Sequence, residues 1–235
     1  MRSVANWADL GIVHSERTKS LVSKTLSNDL PLVTIPHGNF NMLARSVPSS
    51  STRKRLGIDE EKIVLLMFGP DRRNKGIDKF LEVLKRLPSN YVGMLAGRCF
   101  DDEIRNVILR EKNRLKSRLI VDLRFIPDDE IASYFSAADI YFIPYDWITT
   151  SGSVFFAFAY GKPVITTPKG DLPDLIISGV NGYLASDIKE MVDVISNIGR
   201  AEAEEMGNRA FQMAAKYDWK EIAERTVDAY RSISS

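Results

Sequence analysis

Short apolar runs alternate with amphipathic stretches from Ile63 to Leu184, the pattern of parallel strands buried beneath covering helices. The runs predict strands at Ile63 to Phe68, Tyr91 to Ala96, Leu119 to Phe125, Ile140 to Pro144, Pro163 to Thr167 and Gly182 to Leu184. Helices are expected between them at Ile77 to Leu87, Asp101 to Leu115, Asp128 to Ala137 and Ser153 to Tyr160. Three more helical patterns close the chain, at Ile188 to Ile198, Ala201 to Lys216 and Asp218 to Ile233. In the last of these, Ile222, Val227 and Tyr230 form an apolar face expected to dock on a neighbouring surface. The fold class is therefore α/β: a doubly wound, Rossmann-like parallel sheet with extra C-terminal helices.

One more unit stands ahead of this alternation: "LGIVHS" as a strand, "SERTKSLVSKTLS" as a capped helix, and "LVTIPHG" as a strand ending in a turn. A buried parallel strand needs neighbours on both sides, so this unit must pack on the main domain or on another chain. Between the two parts, "SVPSSST" (Ser46 to Thr52) is of low complexity and reads as a linker. The expected organisation is a last strand-helix-strand unit of a preceding domain over residues 1–45 and the main domain over residues 46–235.

Composition narrows the function classes. With 32 basic and 31 acidic residues, no global field draws the chain to nucleic acid or anionic lipid, so any anion site is local. One cysteine and two histidines, Cys99, His14 and His37, are too few for a disulfide framework or a Cys/His metal cluster, and no metal or other cofactor is expected. No run has the length of a signal peptide or a membrane span. The expected location is the cytoplasm, either free or peripheral to the inner face of the membrane.

In open parallel sheets, ligands bind beyond the carboxyl ends of the strands. Three loops there carry suitable groups. "GPDRRNKG" (Gly69 to Gly76) sets Arg72, Arg73 and Lys75 before a helix, where guanidinium and ammonium groups suit a diphosphate; a solvated basic turn is the competing reading. "TTSGS" (Thr149 to Ser153) offers hydroxyls and unobstructed N–H groups at a helix start, and N-capping by Thr150 or Ser151 is the competing and compatible reading. "RFIPDDEIASYF" has an irregular Ile126–Pro127 step whose backbone could meet a nucleobase edge, against a plain turn with Asp128 as N-cap.

Taken in order, "GPDRRNKG", "SAADIYFIPY", "TTSGSVFFAFAYGKPVITTPKGDLPDLI", "GVNGYL" and "YDWKEIAERTVDAY" resemble the nucleotide-sugar-binding C-terminal domain of the retaining glycosyltransferases of family 4, which have the GT-B fold. "IPHGNF" is similar to the turn where that family's acceptor domain hands over to its donor domain. The resemblance implies that Arg72 and Lys75 are catalytic, stabilising negative charge on the departing diphosphate, each worth about 3 kcal/mol by analogy with other preorganised anion sites. It further implies donor binding by Gly69, Thr150, Ser151 and Gly152, with the base at the backbone of Ile126. The family's pattern also holds two glutamates separated by seven residues, and those positions are Ile148 and Phe156 here. This variant resembles a "TSG" subgroup without the pair, and Asp146 becomes a candidate acceptor for a sugar hydroxyl, or else a turn residue.

The implied function is the donor half of a retaining glycosyltransferase that acts on a nucleotide-diphospho-sugar, with no metal, and with an acceptor domain or subunit supplied from elsewhere. Two rivals stay open: a donor-site remnant that binds nucleotide or a partner without transfer, and another GT-B enzyme such as a sugar-nucleotide epimerase. For the latter only His37 lies near a plausible interdomain turn.

Overall fold

The computed structural model describes residues 7–26, 29–44, 47–69 and 73–233. The first unit is a two-stranded parallel sheet, β1 (Gly11–Val13) and β2 (Leu32–Thr34), with Gly11 opposite Leu32 and helix α1 (Glu16–Thr25) between the strands. Ser15 caps α1 by accepting the N–H of Thr18. Helix α2 (Ser49–Leu56) then leads to β3 (Ile63–Phe68), α3 (Ile77–Arg86), β4 (Tyr91–Ala96), α4 (Asp102–Leu115) and β5 (Leu119–Asp122). The chain continues through α5 (Asp128–Ala137), β6 (Ile140–Ile143), α6 (Gly152–Ala159), β7 (Val164–Thr166), the single turn α7 (Leu172–Leu175) and β8 (Gly182–Leu184). Helices α8 (Ile188–Asn197), α9 (Arg200–Ala214) and α10 (Trp219–Arg231) follow.

Strands β3 to β8 form one parallel sheet in the order β5-β4-β3-β6-β7-β8. The apolar runs are the reason: all residues of β4 and β6, and all but the last of β3, are buried, as strands covered on both faces must be. From β3 the chain winds outward through β4 and β5, then returns to the other side of β3 for β6. The strand order therefore reverses between β3 and β6, and the carboxyl ends of those two strands open a crevice.

Three expectations need correction. The segment expected as a linker from Ser46 to Thr52 is largely helical, since α2 starts at Ser49; residue 46 itself lies outside the described residues. Pro48 occupies the N-cap, Gly57 ends the helix in a left-handed conformation, and Arg53 is wholly buried against Asp139 (2.8 Å) and the carbonyls of Glu60 and Lys62 (3.1 and 2.9 Å). That anchor orders a stretch whose serines alone would not hold a helix. Second, β5 stops at Asp122 and not at Phe125, because its pairing partner β4 ends at Ala96, opposite Asp122. Third, Val227 and Tyr230 stay 44% and 57% exposed, while Ile222 and Ala229 of α10 pack on Ile35. At 3.6 residues per turn, Val227 lies about 140° and Tyr230 about 80° around the helix from Ile222.

The C-terminal helices hold the first unit in place. The Trp219 indole donates to the Asn39 carbonyl (2.7 Å), the Asn39 amide donates to the Ala214 carbonyl (3.0 Å), and Arg225 donates to the Thr34 carbonyl (2.7 Å).

Candidate donor site at the strand-order reversal

The loop after β3 is built on two left-handed glycines. Gly69 (φ 68°) donates its N–H to the Ala96 carbonyl (2.7 Å), extending the β3–β4 pairing by one bond. Gly76 (φ 71°) is the N-cap of α3, and a Cβ on it would stand 1.9 Å from the Pro144 carbonyl oxygen. Only glycine lets the loop after β3 lie this close to the loop after β6. Asn74, which the sequence argument passed over, laces the two together: its side-chain amide donates to the Trp147 carbonyl (2.9 Å), and its own carbonyl accepts from the Asp146 N–H (2.8 Å). No sequence pattern marks a buried Asn in a basic loop, so its role shows only once the partner loop is placed.

Of the loop's cations, Arg72 lies outside the described residues. Arg73 turns away from the crevice to Asp101 (2.7 Å) and Glu103 at the start of α4. Those hydrogen bonds raise its pKa further and depress that of Asp101, whose carboxylate also caps α4 at the N–H groups of Glu103 and Ile104. Lys75 keeps its ammonium on the carbonyls of Gly69 and Phe68, at the carboxyl end of β3. The two cations within the described loop thus have separate tasks: Arg73 ties it to α4, and Lys75 stays at the strand end.

On the β6 side, α6 begins at Gly152 with Ser151 as N-cap, yet neither Thr150 nor Ser151 caps the helix through its hydroxyl. Thr150 donates instead to Asp171 (2.5 Å), and Ser151 bonds Tyr145 and Ser153 (2.9 and 3.0 Å). Among the described residues no side chain accepts from the N–H groups of the first turn, and with the helix dipole they favour an anion at this end. Gly152 faces His37: a Cβ there would sit 3.3 Å from the imidazole Nε2. His37 donates from Nδ1 to the Gly38 carbonyl (2.6 Å) and stacks on Phe155, its ring centroid 5.3 Å away.

Asp146 forms an ion pair with Lys79 (2.7 Å) and is 46% exposed on its side chain, so its carboxylate is held at the α3 side of the loop. Ile126 is sunk in the core, which fixes the peptide expected to meet a base. Pro127, and not Asp128, is the N-cap of α5; Asp128 lies in the first turn beside Asp129 and Glu130. The Arg124–Glu130 pair steadies this loop and holds the Glu130 carboxyl below the usual range. The two positions that lack glutamate are filled by packing: Ile148 lies against the core, and Phe156 stacks on Phe40 with centroids 4.0 Å apart. Among the described residues no three His, Cys, Asp or Glu side chains gather as a metal site, and no helix is long and apolar enough to cross a membrane.

The arrangement sets a lysine at the carboxyl end of β3 and a helix start without a side-chain cap after β6, two groups that can each attract an anion. Comparison with known proteins places it in context. Residues 62–200 match the family described as glycosyl transferases group 1. The chain is 24% identical over 206 residues to the lipopolysaccharide 1,2-N-acetylglucosaminetransferase of Salmonella typhimurium, covering 81% of this chain and 54% of that protein. To the phosphatidylinositol N-acetylglucosaminyltransferase GPI3 subunit of Saccharomyces cerevisiae it is 25% identical over 195 residues, 80% of this chain and 42% of that one. The chain therefore spans about half the length of these curated relatives. Among solved structures, Anabaena Alr3699/HepE in complex with UDP and glucose superposes with a TM-score of 0.86 at 22% identity, over 98% of this chain and 65% of that one. Sucrose-phosphate synthase from Thermosynechococcus elongatus gives 0.83 at 24% identity, over 96% and 58%. At these identities the structural likeness establishes the GT-B half fold.

Proposed function

The chain belongs to the glycosyl transferases group 1 family, and on that premise we propose that it is the donor-binding half of a retaining glycosyltransferase. A nucleotide-diphospho-sugar lies across the strand-order reversal, with its distal phosphate at the N-terminus of α6 and Lys75 and Arg72 on the diphosphate. The bond between the anomeric carbon and the phosphate oxygen breaks with its electron pair on oxygen. The acceptor hydroxyl forms the new glycosidic bond on the face the leaving group occupied, and its proton passes to the departing phosphate oxygen. The cations and the helix N–H groups stabilise the charge on the departing diphosphate, so this step needs no metal. The acceptor is held by a second domain or subunit. The first unit supports that part of the reading, because among the described residues β1 and β2 form a parallel sheet of two strands, whose edges suit further strands.

One observation carries the proposal: the loops after β3 and β6 are locked together at the point where the strand order reverses, and α6 starts there without a side-chain cap. A remnant that binds nucleotide without transfer draws support from Phe156, which occupies the expected ribose-facing position with an aromatic stack. The first test is a thermal-shift screen of nucleoside diphosphates and their sugars, with UDP included because the HepE structure contains it. A ligand at a hundred times its Kd adds about 2.7 kcal/mol, which raises the melting temperature of a chain this size by about 5 to 10 °C. A panel with no shift rejects both readings. A shift without transfer once an acceptor domain is supplied rejects the enzyme and keeps the binding module.

A further inference from the structure

Asp171 lies in the connection between β7 and the short α7, is 4% exposed, and has no role in the sequence pattern of the site. Its carboxylate gathers hydroxyls from two separate parts of the fold. One oxygen accepts from Ser15 and from Thr18 (2.8 Å), the N-cap and third residue of α1; the other accepts from Thr150 (2.5 Å), in the loop before α6. Its backbone N–H donates to the Thr149 carbonyl (2.8 Å). Just before it, Gly170 (φ 53°) brings the chain so close to that loop that a Cβ would stand 2.3 Å from the Ile148 carbonyl oxygen and 2.4 Å from that of Thr149.

A buried carboxylate needs compensation, and here it comes from three hydroxyl protons and from the positive end of α1. Arg17, the nearby cation on α1, pairs with Asp174 instead (2.8 Å). The proton count matters. Thr150 has one hydroxyl proton and gives it to Asp171, so toward an anion at α6 it offers its backbone alone, in an orientation Asp171 sets. Ser15 likewise both caps α1 and donates to Asp171. The carboxylate is thus one shared node between α1 of the first unit and the loop that begins α6.

We propose that Asp171 is a positioning residue that straps the first unit to the anion-binding loop, so that the seating of α1 sets the conformation of Thr149 to Ser153. This inference rests on the donor-site reading for its effect on binding, and on the geometry alone for its effect on the loop. Cutting the strap on the α1 side then loosens the loop on the other side.

The test uses the full chain with three sets of variants: Ser15→Ala with Thr18→Val, Thr150→Val, and all three together. Amide hydrogen exchange without ligand is read over residues 149–155, and UDP affinity is read by titration. The α1-side pair is expected to speed exchange in that segment about tenfold and to weaken UDP binding by a similar factor, a loss on the scale of one buried hydrogen bond to a charged group. Because both arms act through one carboxylate, the triple variant should be no worse than Thr150→Val alone, whereas independent structural damage would add. Thr18→Ser restores the hydroxyl and should restore protection. If the double variant is too unstable, Ser15→Ala alone is used, with a smaller shift of the same kind expected. Unchanged exchange over 149–155, or additive effects, overturns the strap whether or not UDP binds. Changed exchange in a protein that does not bind UDP supports the strap and excludes UDP as its nucleotide, and the donor-site reading then stands or falls on the nucleoside diphosphate panel.

Discussion

Replacing Gly76 by alanine tests the close approach on which the site depends, and Gly57→Ala supplies its control within the same molecule. Both glycines are left-handed, at φ 71° and 66°, so each substitution meets the same conformational cost of about 1 kcal/mol or slightly more. They differ in their surroundings. Around Gly57 a new Cβ meets nothing within 4 Å, whereas on Gly76 it stands 1.9 Å from the Pro144 carbonyl oxygen and 2.8 Å from the carbonyl carbon. To reach an ordinary contact of about 3.4 Å, the loop after β6 must retreat by roughly 1.5 Å (3.4 minus 1.9). That retreat breaks the hydrogen bonds from Asn74 to Trp147 and from Asp146 to Asn74, at about 1 kcal/mol each. Gly76→Ala should then cost about 3 kcal/mol against about 1 for Gly57→Ala, or about 6 to 12 °C against 2 to 4 °C in melting temperature. Urea unfolding followed by circular dichroism measures both, and titration with a nucleoside diphosphate should show weaker binding for Gly76→Ala alone. Equal losses in the two variants would refute the idea that the loops after β3 and β6 are pressed together.

Further outcomes follow from the same geometry. Arg53→Ala should cost about 3 to 5 kcal/mol, because it leaves Asp139 without its buried partner and opens a void, and Arg53→Met should cost less; chemical denaturation decides. Gly152→Ala should be tolerated, while Gly152→Val should push against His37 and weaken diphosphate binding about tenfold with little change in melting temperature. For acid stability, Asp101 is held below the usual carboxyl range, first by Arg73 and then by the backbone N–H of Ile104. Its contribution is therefore complete above the unfolded value of about 4 and is lost as the pH falls through the lower folded value. Between about pH 5 and pH 3 the wild type should lose more of its urea midpoint than Asp101→Asn; identical slopes would remove Asp101 from the acid response.

The parallel sheet was legible because β3, β4 and β6 are covered on both faces, and short continuous apolar runs such as "IVLLMF" and "YVGMLA" fit strands buried in that way. Helix α2 was not, since its sequence is polar and its stability comes from one buried arginine whose partner, Asp139, lies 86 residues away. The docking face of α10 was half legible: Ile222 packs as expected, but Ala229 does the work assigned to Val227 and Tyr230. The placement of Gly69 and Lys75 in the loop after β3, and of Gly152 at a helix start, followed from the motifs and the alternation of strands and helices. The partnership of Thr150 with Asp171 did not, because an N-cap and a loop hydroxyl look alike until the acceptor is placed. Asn74 and Asp171 share that difficulty. Each acts through a contact between segments that the sequence keeps apart.

In the proposed donor site the crevice recognises a diphosphate through Lys75 and the start of α6. Isothermal titration of the wild type and of Lys75→Ala with a nucleoside diphosphate and with its parent nucleoside tests it most directly. A charge-assisted contact contributes about 1.5 to 3 kcal/mol, so the diphosphate should bind at least about tenfold more tightly than the nucleoside, and Lys75→Ala should remove about tenfold of that affinity. Equal affinity for diphosphate and nucleoside, or undiminished diphosphate binding by Lys75→Ala, would contradict the account.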